Sequence, residues 1–321
     1  MNLDLARNMA DPVSDKLVKL FFANAGVENM SLLFATDWRK IENKFPQLEE
    51  AIATFRFSTE APLEANEIKT LKKANVFYKK NKQYIFLALG FLSLPYCYGA
   101  ESGVKVLYLS EKFRNRTKER LTETSVFVEQ AIQLADSNFG DASISAIQKV
   151  RLGHSVFRHH IQSKMKENMG LAINQEDMAG TNLAFSLLVL RGLRKMGVTT
   201  STEDIECWIQ AWNMIGKRMG LHESMIPADA KQAFLLSQKI EERHFRTSPE
   251  GLELTQNLLR FYGELLPDPE KVSGFMAYML GEKTANILGL ISVPDSDFEK
   301  LKWKTFAFLA AGQINFKKFS N

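Results

Sequence analysis

Helix start and stop signals are dense and evenly spaced from residue 141 onward, which leaves room for little but a helical architecture. Asp141 is placed to cap a helix running to about Asn168. Asn174 opens the next, with Glu176 and Asp177 in its first turn and Gly197 as its stop. Thr200 and Glu203 have capping-box spacing for a helix ended by Gly220. Ser248-Pro249 and Asp268-Pro269 each pair a capping side chain with proline at the first helical position. Between these signals apolar residues recur at three and four, as in Leu183, Leu187, Leu190 and Leu193. Strand-like alternation is confined to the run Val104 to Leu109. The expected fold class is all-α, a single large multi-helix domain.

The 321 residues suffice for one large domain, and 45% hydrophobic residues with 23 Phe provide its core. Residues 1–80 are helical but more charged, with breaks at Asn24-Ala25-Gly26-Val27 and Glu60-Ala61-Pro62. They are expected to form an N-terminal elaboration on a principal domain covering 81–321. The 41 basic and 37 acidic residues nearly balance, and no basic stripe with interleaved aromatics is present, which argues against nucleic acid. Two cysteines, Cys97 and Cys207, exclude a disulfide scaffold and are expected to be small buried hydrophobes. The stretch Tyr84 to Ala100 is long enough to approach a membrane span. Pro95, Tyr96 and Tyr98 break it and no basic flank follows, so a buried core helix is expected instead. Met1 to Arg7 lacks the pattern of a secretory signal, which makes a cytoplasmic location the expectation.

The segment from Ala146 to His160 carries the strongest chemical signal. At helical spacing Ile147, Val150, Arg151, His154, Phe157, Arg158 and Ile161 share one face. An imidazole and two guanidiniums therefore sit on a stripe otherwise suited to burial. Burying two arginines without partners is very costly, so something anionic must meet them. Haem fits those demands together: an apolar ring, an iron that takes one imidazole, and two propionates that need cations. Gly153 and Ser155 have little bulk and would let a large ring approach. The alternative is a core histidine whose neighbouring arginines pair with Asp or Glu from adjacent helices. His159 and His160 lie about 140° and 120° around the helix from His154 and are expected to be solvated.

Other metal chemistry is poorly supported. Glu241-Glu242-Arg243-His244 supplies one Glu-x-x-His unit where a di-iron bundle needs two and two further glutamates. His-Glu-x-x-His, Gly-x-Gly-x-x-Gly, a phosphate loop and Gly-x-Ser-x-Gly are all absent.

The run Lys149 to Arg158 resembles the haem-ligand helix of the rubber oxygenases, or latex clearing proteins. That family also includes the fungal oxygenase of mycophenolic acid biosynthesis. Arg120-Leu-Thr-Glu-Thr124 lies upstream by a similar spacing, and Asn174 to Ser186 with Trp212 to Gly220 resembles the following helix pair. The resemblance covers roughly residues 85–290. It implies haem b with His154 as iron ligand, Arg151 and Arg158 near the propionates, and Arg120 and Thr124 beside the haem. It also implies a glutamate base, for which Glu101 is in about the right region. Where rubber oxygenases carry a lysine before that threonine, this chain has Glu123, and a carboxylate does not reproduce neutral-amine ligation.

The expected activity is thus a haem-dependent oxygenase that uses O2 on a hydrophobic, alkene-containing small molecule of isoprenoid type. An extracellular polymer is disfavoured as substrate by the missing secretion signal. A non-catalytic haem sensor, carrier or peroxidase-like protein is the alternative, and a helical protein that has lost the cofactor is a third reading.

Overall fold

The computed structural model describes residues 2–138, 140–162, 171–266, 268–291, 293 and 296–313. Among them the secondary structure is helical throughout, and the only strand-like pairing is an isolated bridge between Ala100 and Phe245. The all-α expectation holds. Val104 to Leu109, whose alternation suggested a strand, instead lies largely within the helix Glu101–Tyr108. Over six residues, alternation is too short to outweigh helical neighbours on both sides.

The chain gathers into two compact units, each drawn from three stretches of sequence. One gathers Met1–Lys72, Glu129–Ala179 and Gln210–Ile226; the other gathers Lys73–Val128, Gly180–Ile209 and Pro227–Asn321.

In the first unit the amphipathic helices Pro12–Ala25 and Glu49–Glu60 bury Leu17, Val18, Phe21, Ile52 and Phe55 together with Leu152 and Val156 of Gly140–Ile161. Trp38 packs on Phe55 with ring centroids 5.5 Å apart. Burying each such side chain stabilises by about 1.5–3 kcal/mol. Gly26 ends the first of these helices at φ 76°, and Glu60 ends the second, as the breaks at those points predicted. The end expected near Asn168 lies outside the described residues.

In the second unit Tyr84 to Ala100 behaves as a core segment, with Ile85 through Ser93 buried. Leu89–Ser93 forms a π-turn before the helix Leu94–Tyr98. Pro95 explains it: its ring would clash with the carbonyl four residues back, and it offers no N–H to that oxygen. Tyr262 stacks on Phe91 at 4.2 Å, and a Cβ on Gly90 would come within 2.0 Å of its hydroxyl, so only glycine permits this approach. No single helix among the described residues is long and apolar enough to cross a membrane.

Two boundaries differ from expectation. The helix starting after Asn174 breaks at Ser186 into Gln175–Phe185 and Leu187–Lys195. There side chains claim the carbonyls: Ser186 Oγ donates to Asn182, Ser93 Oγ to Ala184 at 2.6 Å, and Trp208 Nε1 to Phe185. The next helix, Thr202–Arg218, is capped by Ser201 and Asp204, which exchange two 3.1 Å hydrogen bonds, rather than by Thr200 and Glu203. Ser248 and Asp268 cap their helices as expected. Cys97 and Cys207 are free but only half-buried.

Candidate functional site

The sequence-derived candidates fall into two groups, one in each compact unit. His154, Arg151 and Arg158 belong to the first. They lie on Gly140–Ile161, whose Leu152 and Val156 anchor it against Pro12–Ala25.

The two arginines have found anions within the chain. Arg151 grips Asp11 through Nε and Nη2, at 2.6 Å and 2.8 Å, while its Nη1 donates to Ser58 Oγ and the carbonyl of Arg218. Arg158 Nη1 forms an ion pair with Asp15 and also donates to Ser155 Oγ. Its Nε and Nη2 donate to the carbonyls of Ala172 and Ile173, at 2.8 Å and 2.9 Å. Ile173 has φ 50°, an uncommon backbone for a β-branched residue, and the Arg158 fork holds it there. Burial pushes the Asp15 carboxyl above its ordinary value, with Arg158 and Ser155 opposing. Arg151 and Arg158, expected near the propionates, are here engaged by groups of the chain itself. Their charges are answered by Asp11 and Asp15, and their forks are spent on fastening the helix.

This fastening splits the stripe seen in the sequence. Arg151, Leu152, Ser155 and Arg158 are buried, whereas Val150, Gly153, His154 and Phe157 form a half-covered strip along the same helix. His154 lies at the edge of the clamped side. Ser155 is turned into the Arg158 and Asp15 cluster, so it opens no space for a ring. A Cβ at Gly153 would meet only Phe34 at 3.9 Å. His159 and His160 are exposed, as expected, and pack near Phe22.

Arg120, Thr124 and Glu101 belong to the second unit. Arg120 and Thr124 lie on Thr117–Ala131, where Leu121, Thr122, Thr124, Ser125, Val126 and Phe127 are all half-buried. The Arg120 guanidinium lies 4.1 Å from the Phe113 ring centroid and meets Glu123 at 3.4 Å. Although 30% of its side chain is open, its Nε is shut off and has no acceptor. Desolvation pushes its pKa down, with Glu123 and the buried Tyr98 opposing. Burial likewise pushes the Tyr98 phenol up, with Arg120 opposing. Tyr98 was not among the sequence candidates, since a tyrosine in an apolar run reads as core. Thr124 Oγ1 donates to the carbonyl of Arg120 at 2.8 Å. Glu101 is ion-paired with Lys105 at 2.7 Å, and both are partly solvated.

Among the described residues no group of three or more His, Cys, Asp or Glu is arranged to hold a metal ion. Glu241, from the Glu-x-x-His unit, instead accepts a 2.6 Å hydrogen bond from Tyr96.

Comparison with known proteins agrees with this architecture. Residues 98–311 match the family described as ER-bound oxygenase mpaB/B'/rubber oxygenase, catalytic domain. The rubber oxygenase of Streptomyces sp. (strain K30) is 27% identical over 163 residues, which are 48% of this chain and 40% of that protein. The match thus spans less than half the length of that relative. A solved structure of latex clearing protein in its closed state shares the fold, with a TM-score of 0.76 over 98% of this chain and 91% of its own at 20% identity.

Proposed function

The chain belongs to the mpaB/rubber oxygenase catalytic family, and from that premise we propose a haem-dependent oxygenase that acts with O2 on an apolar, alkene-containing small molecule. The observation that carries this reading is His154, set on a half-covered apolar strip of a helix that one buried and one part-buried ion pair hold in place.

A b-type haem needs an imidazole, an apolar surface for its ring and cations for its propionates. His154 would hold the iron, with Val150 and Phe157 against the ring. A haem iron would need only one ligand from the chain, so no clustered donor set is required. Arg151 and Arg158 do not fit a propionate role, since their donors are occupied. In the second unit Arg120 keeps a buried Nε without an acceptor, a donor that an anionic group could use.

When bound, haem supplies the activation of O2 toward the alkene. The protein's part is to hold and orient. Arg151 and Arg158 fix the backbone that carries His154. Thr124 keeps its hydroxyl proton on the Arg120 carbonyl, which leaves its oxygen able to accept a hydrogen bond. Glu101 serves as a base only if Lys105 releases it.

The test is the absorption spectrum of protein prepared with haem. The wild type should show a Soret band that His154→Ala abolishes. A colourless wild type would remove the cofactor and the proposed chemistry together. Glu123, standing in the position of the family's lysine, favours a second reading as a haem-binding sensor or carrier. Haem reduction by every donor tried, without product from isoprenoid alkenes under O2, would select it.

A further inference from the structure

The helix Asp297–Gln313 is apolar on two opposite faces, and the protein covers only one. Trp303, Ala307, Ala310 and Ala311 are buried. At 100° per residue the opposite face collects Phe298, Leu301, Thr305, Phe308, Leu309 and Gly312 within an arc of about 100°. Of these, Phe298 is 74% exposed, Leu301 66%, Phe308 69% and Leu309 56%. A Cβ at Gly312 would meet nothing within 4 Å. Four large apolar side chains on one open face exceed the scatter of single exposed hydrophobics that a surface normally carries.

The charges around this face indicate what covers it. Lys302 borders it on one side, and Lys304 together with Asp297 on the other, each within about 40° of the apolar arc. Within the helix Lys300 meets Asp297 at 3.7 Å and Lys302 meets Glu299 at 3.2 Å, so Lys304 is its cation in excess. The sequence that follows, Phe316-Lys317-Lys318-Phe319, adds two more cations, so residues 296–321 carry five lysines against two acids. A second copy of the same helix would set these cations against one another. An anionic surface would meet them, while the phenylalanines enter the acyl boundary and the lysine stems reach back to the headgroups.

We propose that this helix lies on an anionic lipid surface and docks the protein there peripherally. The test is co-sedimentation of the full chain with vesicles of phosphatidylcholine mixed with phosphatidylserine, beside vesicles of phosphatidylcholine alone. Binding should favour the anionic vesicles by about tenfold and weaken as salt is raised. Phe298→Ser with Phe308→Ser should lower it by a further tenfold or more without changing the thermal midpoint, because both positions are exposed. Phe308→Trp adds an exposed indole to a chain whose four tryptophans are all buried, and its emission should shift blue on the anionic vesicles. Equal binding by wild type and the double serine variant, or no binding to either vesicle, would overturn the proposal. So would a dimer of the wild type that the double variant dissolves, since a second copy would then cover the face.

Discussion

Arg151 and Asp11 form a two-pronged ion pair in which Nε and Nη2 each donate to a different carboxylate oxygen, and the two side chains are only 3% and 4% exposed. The same carboxylate accepts the backbone N–H of Ser14, capping Pro12–Ala25. One aspartate thus starts one helix and fixes the helix that carries His154.

Removing either partner strands a buried charge. Asp11→Ala should cost about 3–5 kcal/mol in urea unfolding, including about 1 kcal/mol for the lost cap. Replacing both residues together, as Asp11→Leu with Arg151→Leu, should cost less than the two single changes summed, because no charge is left alone. Additive losses would show that the pair is not coupled.

Arg158→Ala should act on the fold before it acts on any cofactor. It removes the partner of Asp15 and the donors that hold the Ala172 and Ile173 carbonyls, so protein prepared without haem should lose about 3 kcal/mol or more. Unchanged stability of the haem-free variant would return this arginine to a ligand role. Arg158→Lys should recover only part, since an ammonium lacks the planar fork.

Two glycines of the first unit should respond in opposite ways to an added methyl. At Gly220, φ is 90° and a Cβ would stand 2.3 Å from Asp11 Oδ2 and 2.9 Å from Arg151 Nε. Gly220→Ala should therefore destabilise by more than about 1 kcal/mol in thermal or urea unfolding. Gly153 is helical, and its added Cβ would touch only Phe34 at 3.9 Å. Gly153→Ala should stabilise the haem-free protein by up to about 1 kcal/mol. If a flat ring packs along the strip beside His154, the same change should weaken haem retention, read from the Soret band after desalting. Undiminished retention would place the ring elsewhere.

Glu60 gives the first unit a defined acid response. Desolvation pushes its carboxyl up, but hydrogen bonds from Arg56 and Gln148 outweigh it and hold the pKa below its ordinary 4.5. A depressed folded-state value means the stabilisation is fully present above 4.5 and is lost as the pH falls through the lower, folded value. The stability advantage of wild type over Glu60→Gln should therefore shrink as the pH is taken below 4.5, measured by the thermal midpoint. An advantage that is flat or growing toward acid would contradict the assignment. Partial exposure of Glu60 keeps the effect small.

The helical class, the Ser248 and Asp268 caps, and the stops at Gly26, Gly197 and Gly220 were legible from the chain alone, because capping chemistry and the need for positive φ act over three or four residues. The position of His154 on a part-apolar helix was legible for the same reason. What answers Arg151 and Arg158 was not. Asp11 and Asp15 lie 140 and 143 residues away along the chain, and nothing in local spacing separates a carboxylate brought there by folding from a propionate. The break at Ser186 was hidden likewise, since it depends on Ser93 and Trp208 reaching its carbonyls. Periodicity and caps are short-range and can be read in order along a sequence. The partner of a buried charge, and which side of a helix is left uncovered, are set by packing between distant segments, and only the tertiary structure decides them.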